Sequence, residues 1–477
     1  MRRPAHQATT RHLGALYPFA ANATLELPRV LVGHDLFGGV FSYDPFELYD
    51  RGLLTNPNML VFGQIGRGKS AFVKTFIWRQ AAFGTSAWVV DPKGEYGALA
   101  RAMGTEPLRL RPGGSLRLNP LDPGGAPGAR SGSEARSGSE ARSGSEAQSG
   151  SEAQSGSEAQ SGGPARSDRE GRSGSKARCS GKKDSSAEAN RQRSALLGAL
   201  AEASLCRGLL PEERAAIDVA VAAAGSRTAK CAPTLPDVVE ALLAPSTQAA
   251  RELGTDVSGL AADGRQVALE LRRLVAGDLR GMFDGPSSSG IDLDANLVVL
   301  DLSAVYRSAA LGVLMTCAIA WLQARLAARA SEKVILVVDE AWAILNNLSV
   351  ARWLQSSWKL SRSFGVANVA VLHRVSDLEA AGAGSSEQTL IARGLLADSE
   401  TRVLYAQAPG EVCVARDALG LSSTEAEMAS RLGRGLALWQ VGQRRFLVRH
   451  VMTPYEALLS DTDSRMRLAA MGDGPSA

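Results

Sequence analysis

In NMLVFGQIGRGKSAF, residues 58–72, Gly63, Gly68, Lys69 and Ser70 satisfy the spacing G-x-x-x-x-G-K-[ST] between an apolar run and a helical pattern. Glycines at these positions let successive backbone N–H groups turn toward phosphate oxygens. The N-terminus of the following helix adds its partial positive charge. In this reading Lys69 reaches the β- and γ-phosphates of a nucleoside triphosphate and Ser70 ligates Mg²⁺. Gln64, Ile65, Gly66 and Arg67 fill the loop and Ala71 opens the helix, so residues 63–71 are the expected nucleotide contact. The alternative is a glycine-rich structural turn. Phe72, Val73, Phe76 and Ile77 at helical spacing, followed by another apolar run, complete a βαβ unit and favour the phosphate loop.

A phosphate loop needs a carboxylate at another strand end to hold Mg²⁺, and three apolar runs here end in aspartate: Asp91, Asp301 and Asp339. Asp339 alone is followed by a second acid, in VILVVDEAW. The expectation is therefore Asp339 for Mg²⁺ and Glu340 for activating water, against the alternative that Glu340 caps the next helix. Asp91 opens DPKGEY, where Asp91, Lys93 and Glu95 are candidates for contact with nucleotide or a neighbouring subunit, although Pro92 and Gly94 also suit a plain turn. Asp301, in LDLSAV, reads as a helix cap or turn residue. His373 follows the run VANVAVL, at a place suited to sensing a γ-phosphate, and the alternative is a turn residue. Arg362 in KLSRSFG, and then Arg374, are the candidates for an arginine reaching across a subunit boundary; a surface arginine is the alternative.

The elements that must position these residues are legible as apolar runs: residues 59–62, 87–90, 296–300, 334–338, 366–372 and 402–406, mostly separated by helix-length segments. Continuous apolar strands alternating with helices mean an α/β fold, a mostly parallel sheet with helices on both faces. ALWQVGQRRFLV turns at Gly442–Gln443 and predicts a closing antiparallel hairpin. Residues 28–122 and 284–455 make up this domain, between tails at 1–27 and 456–477. At 123–193 the composition changes: from Ala129 the unit ARSGSE repeats three times and AQSGSE twice, within a Ser-, Gly- and Arg-rich bias. With almost nothing apolar to offset its ordering entropy, the stretch reads as a disordered linker. Residues 194–283 read as a small all-helical insertion, with SALLGALAEASL, PEERAAIDVAVAAA, LPDVVEALLA and ALELRRLVAGDLRGMF as its helices.

Bulk properties exclude more than they suggest. The 53 Lys plus Arg against 49 Asp plus Glu leave +4, too little to argue for a polyanion partner from charge alone. Five cysteines with no CxxC pair indicate neither zinc nor a disulfide framework and fit a reducing compartment. No apolar signal-peptide core follows the basic N-terminus, and the longest apolar run, residues 309–322, falls short of the ~20 residues needed to span a bilayer. The expectation is a cytoplasmic protein, brought to the inner face of the membrane by a partner if it works there.

Taken in order, GQIGRGKS, DPKGEY, VILVVDEAW and the strand ending at His373 resemble the HerA/FtsK superfamily of ring-forming P-loop ATPases. Within it they are most similar to the TraC-like ATPases of type IV secretion and conjugal transfer. FSYDPF ahead of the loop, SLRLNPLDPG before the helical insertion, and LGLSSTEAEMASRLGRGLALWQVGQRRFLV extend the similarity over roughly residues 28–455. The resemblance implies a RecA-like P-loop NTPase fold and a homo-hexameric ring with ATP and Mg²⁺ at subunit boundaries. It also implies DNA or protein cargo moved through the channel components of a membrane secretion complex. The chain departs from the family where many relatives carry Gln in place of His373. It also carries the repeat, and the family's large N-terminal docking domain is expected to be missing or reduced to the first ~50 residues.

Three functions compete: an ATP-driven motor for conjugal transfer or secretion, with a HerA-like cytosolic DNA translocase as a variant; a nucleotide-gated assembly or adaptor protein of a secretion complex; and a small-molecule phosphotransferase. The Asp339–Glu340 pair and the helical insertion argue against the last. No helix-turn-helix, zinc finger or aromatic stacking platform appears, so DNA enters only through the family resemblance.

Overall fold

A computed structural model describes residues 29–122 and 176–461, apart from 37, 206, 228–230, 278, 290, 309, 328–332, 346–350, 353, 356–357, 360–363, 377–390 and 392–393; side chains are not described at 176–186, 324 and 344. Two compact units divide the chain: residues 1–124 with 189–477, and residues 125–188. Of the second unit only residues 176–188, the start of the helix Lys176–Leu205, are described. The repeats, the two tails at 1–27 and 462–477, and Arg362 lie outside the described residues.

The first unit is built on an eleven-stranded sheet in the order β2-β1-β11-β10-β9-β3-β8-β7-β4-β6-β5. The strands are β1 (Leu31–Asp35), β2 (Val40–Ser42), β3 (Met59–Phe62), β4 (Ser86–Asp91), β5 (Leu108–Arg109), β6 (Leu297–Asp301), β7 (Val334–Val338), β8 (Val366–Leu372), β9 (Thr401–Leu404), β10 (Leu436–Val441) and β11 (Arg444–His450). From β9 to β5 every pairing is parallel. The rest of the sheet, from β9 through β10, β11 and β1 to β2, is antiparallel. The apolar runs read from the sequence are these central strands, and the hairpin at Gly442 is β10–β11.

Period-two alternation divides the strand side chains between two cores. Leu60, Phe62, Trp88, Val90, Leu336 and Val338 face one core, where Trp88 stacks at 6.5 Å on Trp321 of the buried helix Leu311–Ala327. This core continues into the helical insertion through Leu197, Ile217, Val238 and Val267. Met59, Val61, Val89, Val337 and Val369 face the other, closed by the helix Lys69–Ala81 and an aromatic group that includes Phe41, Tyr43, Phe72, Phe76 and Trp439. Both faces are thus covered, as parallel strands require.

Four details differ from the sequence reading. The hairpin β1–β2 adds to the edge at β11; LVGHD and VFS are too short and too broken by glycine and polar residues to read as strands alone. The helix Lys176–Leu205 begins inside the stretch assigned to a disordered linker ending at 193. Its polar half is rich in good helix formers, and once the apolar turns around Leu196 and Leu200 are packed each preceding residue extends the helix cheaply. The helix Val257–Ala276 stops at Gly277, so LRGMF at 279–283 is not helical. The helix Pro454–Ser460 folds into the domain, so no tail starts at 456.

That last helix helps fix the helix Lys69–Ala81. The Arg79 guanidinium donates to both oxygens of Glu456 at 2.7 Å and to the carbonyls of Leu31 and Val451, both at 2.6 Å. One turn earlier, Thr75 Oγ1 lies 2.8 Å from His450 Nε2. Burial, with Arg79 close by, holds the His450 imidazole down at about 4. Arg79→Met is expected to cost about 1–3 kcal/mol, because it leaves the buried Glu456 carboxylate without its guanidinium partner; the midpoint of urea unfolding measures it. Below pH 6.5 the unfolded chain takes up a proton at His450 that the folded chain refuses until about pH 4. Stability from this group is therefore complete above pH 6.5 and declines as the pH falls toward 4. Urea midpoints measured from pH 7 to 4.5 should fall less steeply in His450→Gln.

Candidate functional site

β8 pairs with β3 on one side and β7 on the other, and β7 pairs with β4. Because all four run parallel, the turns that leave them open on one edge of the sheet, where α/β folds bind ligands. From β3 comes the loop Gly63–Gly68, from β8 His373, from β7 Asp339 and Glu340, and from β4 the turn begun by Asp91.

The loop depends on left-handed glycines at Gly63 (φ 153), Gly66 (φ 76) and Gly68 (φ 112). A Cβ on Gly63 would stand 2.5 Å from the Cβ of Tyr405, the buried residue just after β9. The loop is fastened from both sides, by Gln64 N–H to Ala406 O at 3.0 Å and Gly435 N–H to Arg67 O at 3.0 Å. Arg67 donates to Gln64 Oε1 at 3.3 Å, and Ile65 is 78% exposed at the tip. The helix Lys69–Ala81 starts with no side-chain cap, so Ser70 and Ala71 sit in an uncapped first turn with the positive end of the helix dipole. The Lys69 ammonium is buried, donates to the carbonyls of Gly63 and Gln64, and lies 3.4 Å from His373 Nδ1.

His373 carries that contact across to β7. Its Nε2 lies 2.8 Å from Glu340 Oε2. A lysine can only donate and a carboxylate only accept, so these partners assign the neutral tautomer with its proton on Nε2. Glu340 is 3% exposed, and it is the one non-glycine residue at positive φ (54) among the described residues. Its Oε2 also accepts from Trp342 Nε1 at 2.5 Å, and its Oε1 lies 2.5 Å from Lys93 Nζ. Burial pushes this carboxyl up, but His373, Lys93 and Trp342 together outweigh it and hold it at about 2.

Asp339 stands beside it with the opposite balance. Burial first, then Glu340, Asp91 and Glu95, raise its carboxyl to about 7, against a backbone hydrogen bond from Glu340 N–H at 2.9 Å. Tyr96 donates its hydroxyl to Oδ2 at 3.3 Å. Asp91, raised to about 6 chiefly by burial, accepts from the backbone N–H groups of Lys93, Gly94 and Tyr96. Both its oxygens accept within its own turn, the turn that carries Lys93. Glu95 faces Lys74 at 4.0 Å; Lys74 is 1% exposed, lies 5.3 Å from the Tyr96 ring centroid, and is held below the usual lysine range by burial.

The structure therefore brings Lys69, His373, Glu340 and Asp339 together, with Asp91 and Glu95 near enough to raise the Asp339 carboxyl. Asp301 accepts from Ser303 N–H at 2.9 Å in its own turn. Arg374 is exposed beyond His373. Sequence reasoning missed Trp342, Lys74, Tyr96 and Tyr405; Trp342, two residues past Glu340, and Tyr96, closing DPKGEY, carried a local signal. Among the described residues no group of three or more His, Cys, Asp or Glu side chains is arranged to hold a metal by itself. The hydroxyl of Ser70 and the buried, acid-crowded carboxylate of Asp339 suit a hard cation that draws its other oxygens from phosphate and water.

The fold is similar to that of VirB4 of Thermoanaerobacter pseudethanolicus, with TM-score 0.64 and 18% identity over 91% of this chain and 100% of that one. It is also similar to the bacterial conjugative coupling protein TrwBdeltaN70, with TM-score 0.51 and 13% identity over 90% of this chain and 91% of that one. TrwB in complex with ADP and Mg²⁺ gives TM-score 0.50 and 14% identity over 92% of each chain. No protein-family model matches the chain, and no curated protein matches it. Gly63→Ala is expected to lower stability by about 1–3 kcal/mol, since the added methyl group must displace Tyr405 or the loop; urea unfolding of the variant measures it.

Proposed function

We propose that this chain is an ATP-hydrolysing, Mg²⁺-dependent motor of the HerA/FtsK type that powers conjugal DNA transfer or type IV secretion. The observation that carries the reading is the run Lys69–His373–Glu340 across the ends of β3, β8 and β7, which links a phosphate-loop lysine to an ionised carboxylate. The folds it shares with VirB4 and with a conjugative coupling protein support the cellular role. TrwB in complex with ADP and Mg²⁺ supports the ligand.

In this reading the loop at 63–71 binds the triphosphate through its backbone N–H groups, and Lys69 turns from its own carbonyls to the β- and γ-phosphates. Ser70 and Asp339 hold Mg²⁺, which when bound offsets the negative charge that develops on the phosphates. Glu340 orients the attacking water and takes its proton, while His373 senses the γ-phosphate from between Lys69 and Glu340. Arg374, or Arg362, reaches the neighbouring site in a homo-hexameric ring. Channel components and DNA or protein cargo complete the machine. Among the described residues no helix is long and apolar enough to cross a membrane. In this reading partners hold the chain at the inner face.

A nucleotide-gated assembly role without continuous turnover is the second reading, favoured by the three donors that already engage Glu340. An ATPase assay on size-separated oligomer, with and without single- and double-stranded DNA, decides between them. The motor predicts Mg²⁺-dependent turnover that DNA or cargo stimulates and Lys69→Ala abolishes. Glu340→Gln should keep the MgATP Kd within about threefold and lose about a hundredfold or more in kcat. MgATP binding without turnover would support the assembly role, and no measurable binding would overturn both.

A further inference from the structure

Glu340 accepts on its two oxygens from opposite sides. Oε2 takes His373 and Trp342, on the side where Lys69 lies 3.4 Å from the same imidazole. Oε1 has one partner among the described residues, the Lys93 ammonium at 2.5 Å. Lys93 is itself closely held. Asp91 Oδ1 accepts from the N–H groups of Lys93 and Gly94, Asp91 Oδ2 accepts from Tyr96, and Gly94 turns at φ +71 against the Ser303 side chain. The ammonium passes 5.9 Å from the Tyr306 ring centroid on its way to Glu340. The DPKGEY turn thus aims one cation at one oxygen of a buried carboxylate whose own backbone is held at φ 54, a conformation non-glycine residues rarely adopt.

We propose that Lys93 is a positioning residue for Glu340: by gripping Oε1 it sets the rotation of the carboxylate that presents Oε2 to His373 and to the Lys69 side of the site. This rests on the reading of Glu340 as the group that orients water. Without Lys93, the donors that remain among the described residues both act on Oε2 and none holds Oε1, so the plane of the carboxylate is free to swing about the oxygen they pin. Positioning of this kind acts on turnover more than on ground-state binding.

The test compares full-length wild type, Lys93→Met, Lys93→Arg, Glu340→Gln and the Lys93→Met/Glu340→Gln double variant in steady-state MgATP hydrolysis. Lys93→Met should lower kcat about tenfold with KM within about twofold, and Lys93→Arg should recover most of the loss. In the Glu340→Gln background, read by single-turnover hydrolysis, Lys93→Met should change the rate less than about twofold, because its effect passes through the carboxylate. Unchanged or raised kcat in Lys93→Met, a parallel rise in KM, or an equal loss in the Glu340→Gln background would each overturn the proposal. Should Lys93→Met fail to fold, Lys93→Gln replaces it under the same criteria. Wild type that does not hydrolyse ATP would sink the proposed motor function itself, whereas active wild type with insensitive Lys93 variants would sink only this inference.

Discussion

β8 is hydrogen-bonded between β3 and β7, with Phe62 opposite Leu372 and Val338 opposite Ala370, and this pairing brings Lys69 and Glu340 to the two ring nitrogens of one histidine. A slip of one residue would turn His373 to the other face of the sheet. Apolar strands cannot resist such a slip by pattern alone, since both faces are buried. The register is pegged by a buried amide pair instead: Asn368 donates its backbone and side-chain N–H groups to Asn58 Oδ1 at 3.1 and 3.0 Å, and Asn58 donates to Asp398 O at 3.1 Å. A shifted register would strand these groups in the core, at a cost of about 1–3 kcal/mol each.

The second constraint is electrostatic. Asp91, Glu95, Asp339 and Glu340 crowd near the loop, where Lys74 faces Glu95 and Lys93 faces Glu340. The compensation is uneven. Glu340, with three donors, stays ionised at the cost of being a weak base, whereas Asp339, with a phenol and one backbone N–H, is left short of positive charge. That imbalance is what a divalent cation would relieve, and it falls on the aspartate rather than the glutamate.

Much of this was legible in the sequence, for physical reasons that differ by residue. MLVF, AWVV, NLVVL and VILVV are strands because a parallel sheet covered on both faces demands unbroken apolar runs. Lys69 and Ser70 could be named because phosphate binding imposes a fixed spacing. Asp339, Glu340 and His373 could be named because they end such runs. Lys74 and Tyr405 reach the site only through tertiary packing, and a buried lysine in a helix leaves no periodic trace. Lys93 appeared as a candidate contact, but its partner, 247 positions away, could not be read before β4 and β7 were known to be neighbours.

The C-terminal hairpin β10–β11 and the segments beside it grip the phosphate-loop helix at three levels: Gly435 N–H bonds Arg67 O in the loop, His450 meets Thr75 in the second turn, and Val451 with Glu456 receives Arg79 in the last turn. The loop, its helix and the antiparallel flank of the sheet are consequently laced together, which gives a displacement of that flank a hydrogen-bonded route to the loop that carries the lysine.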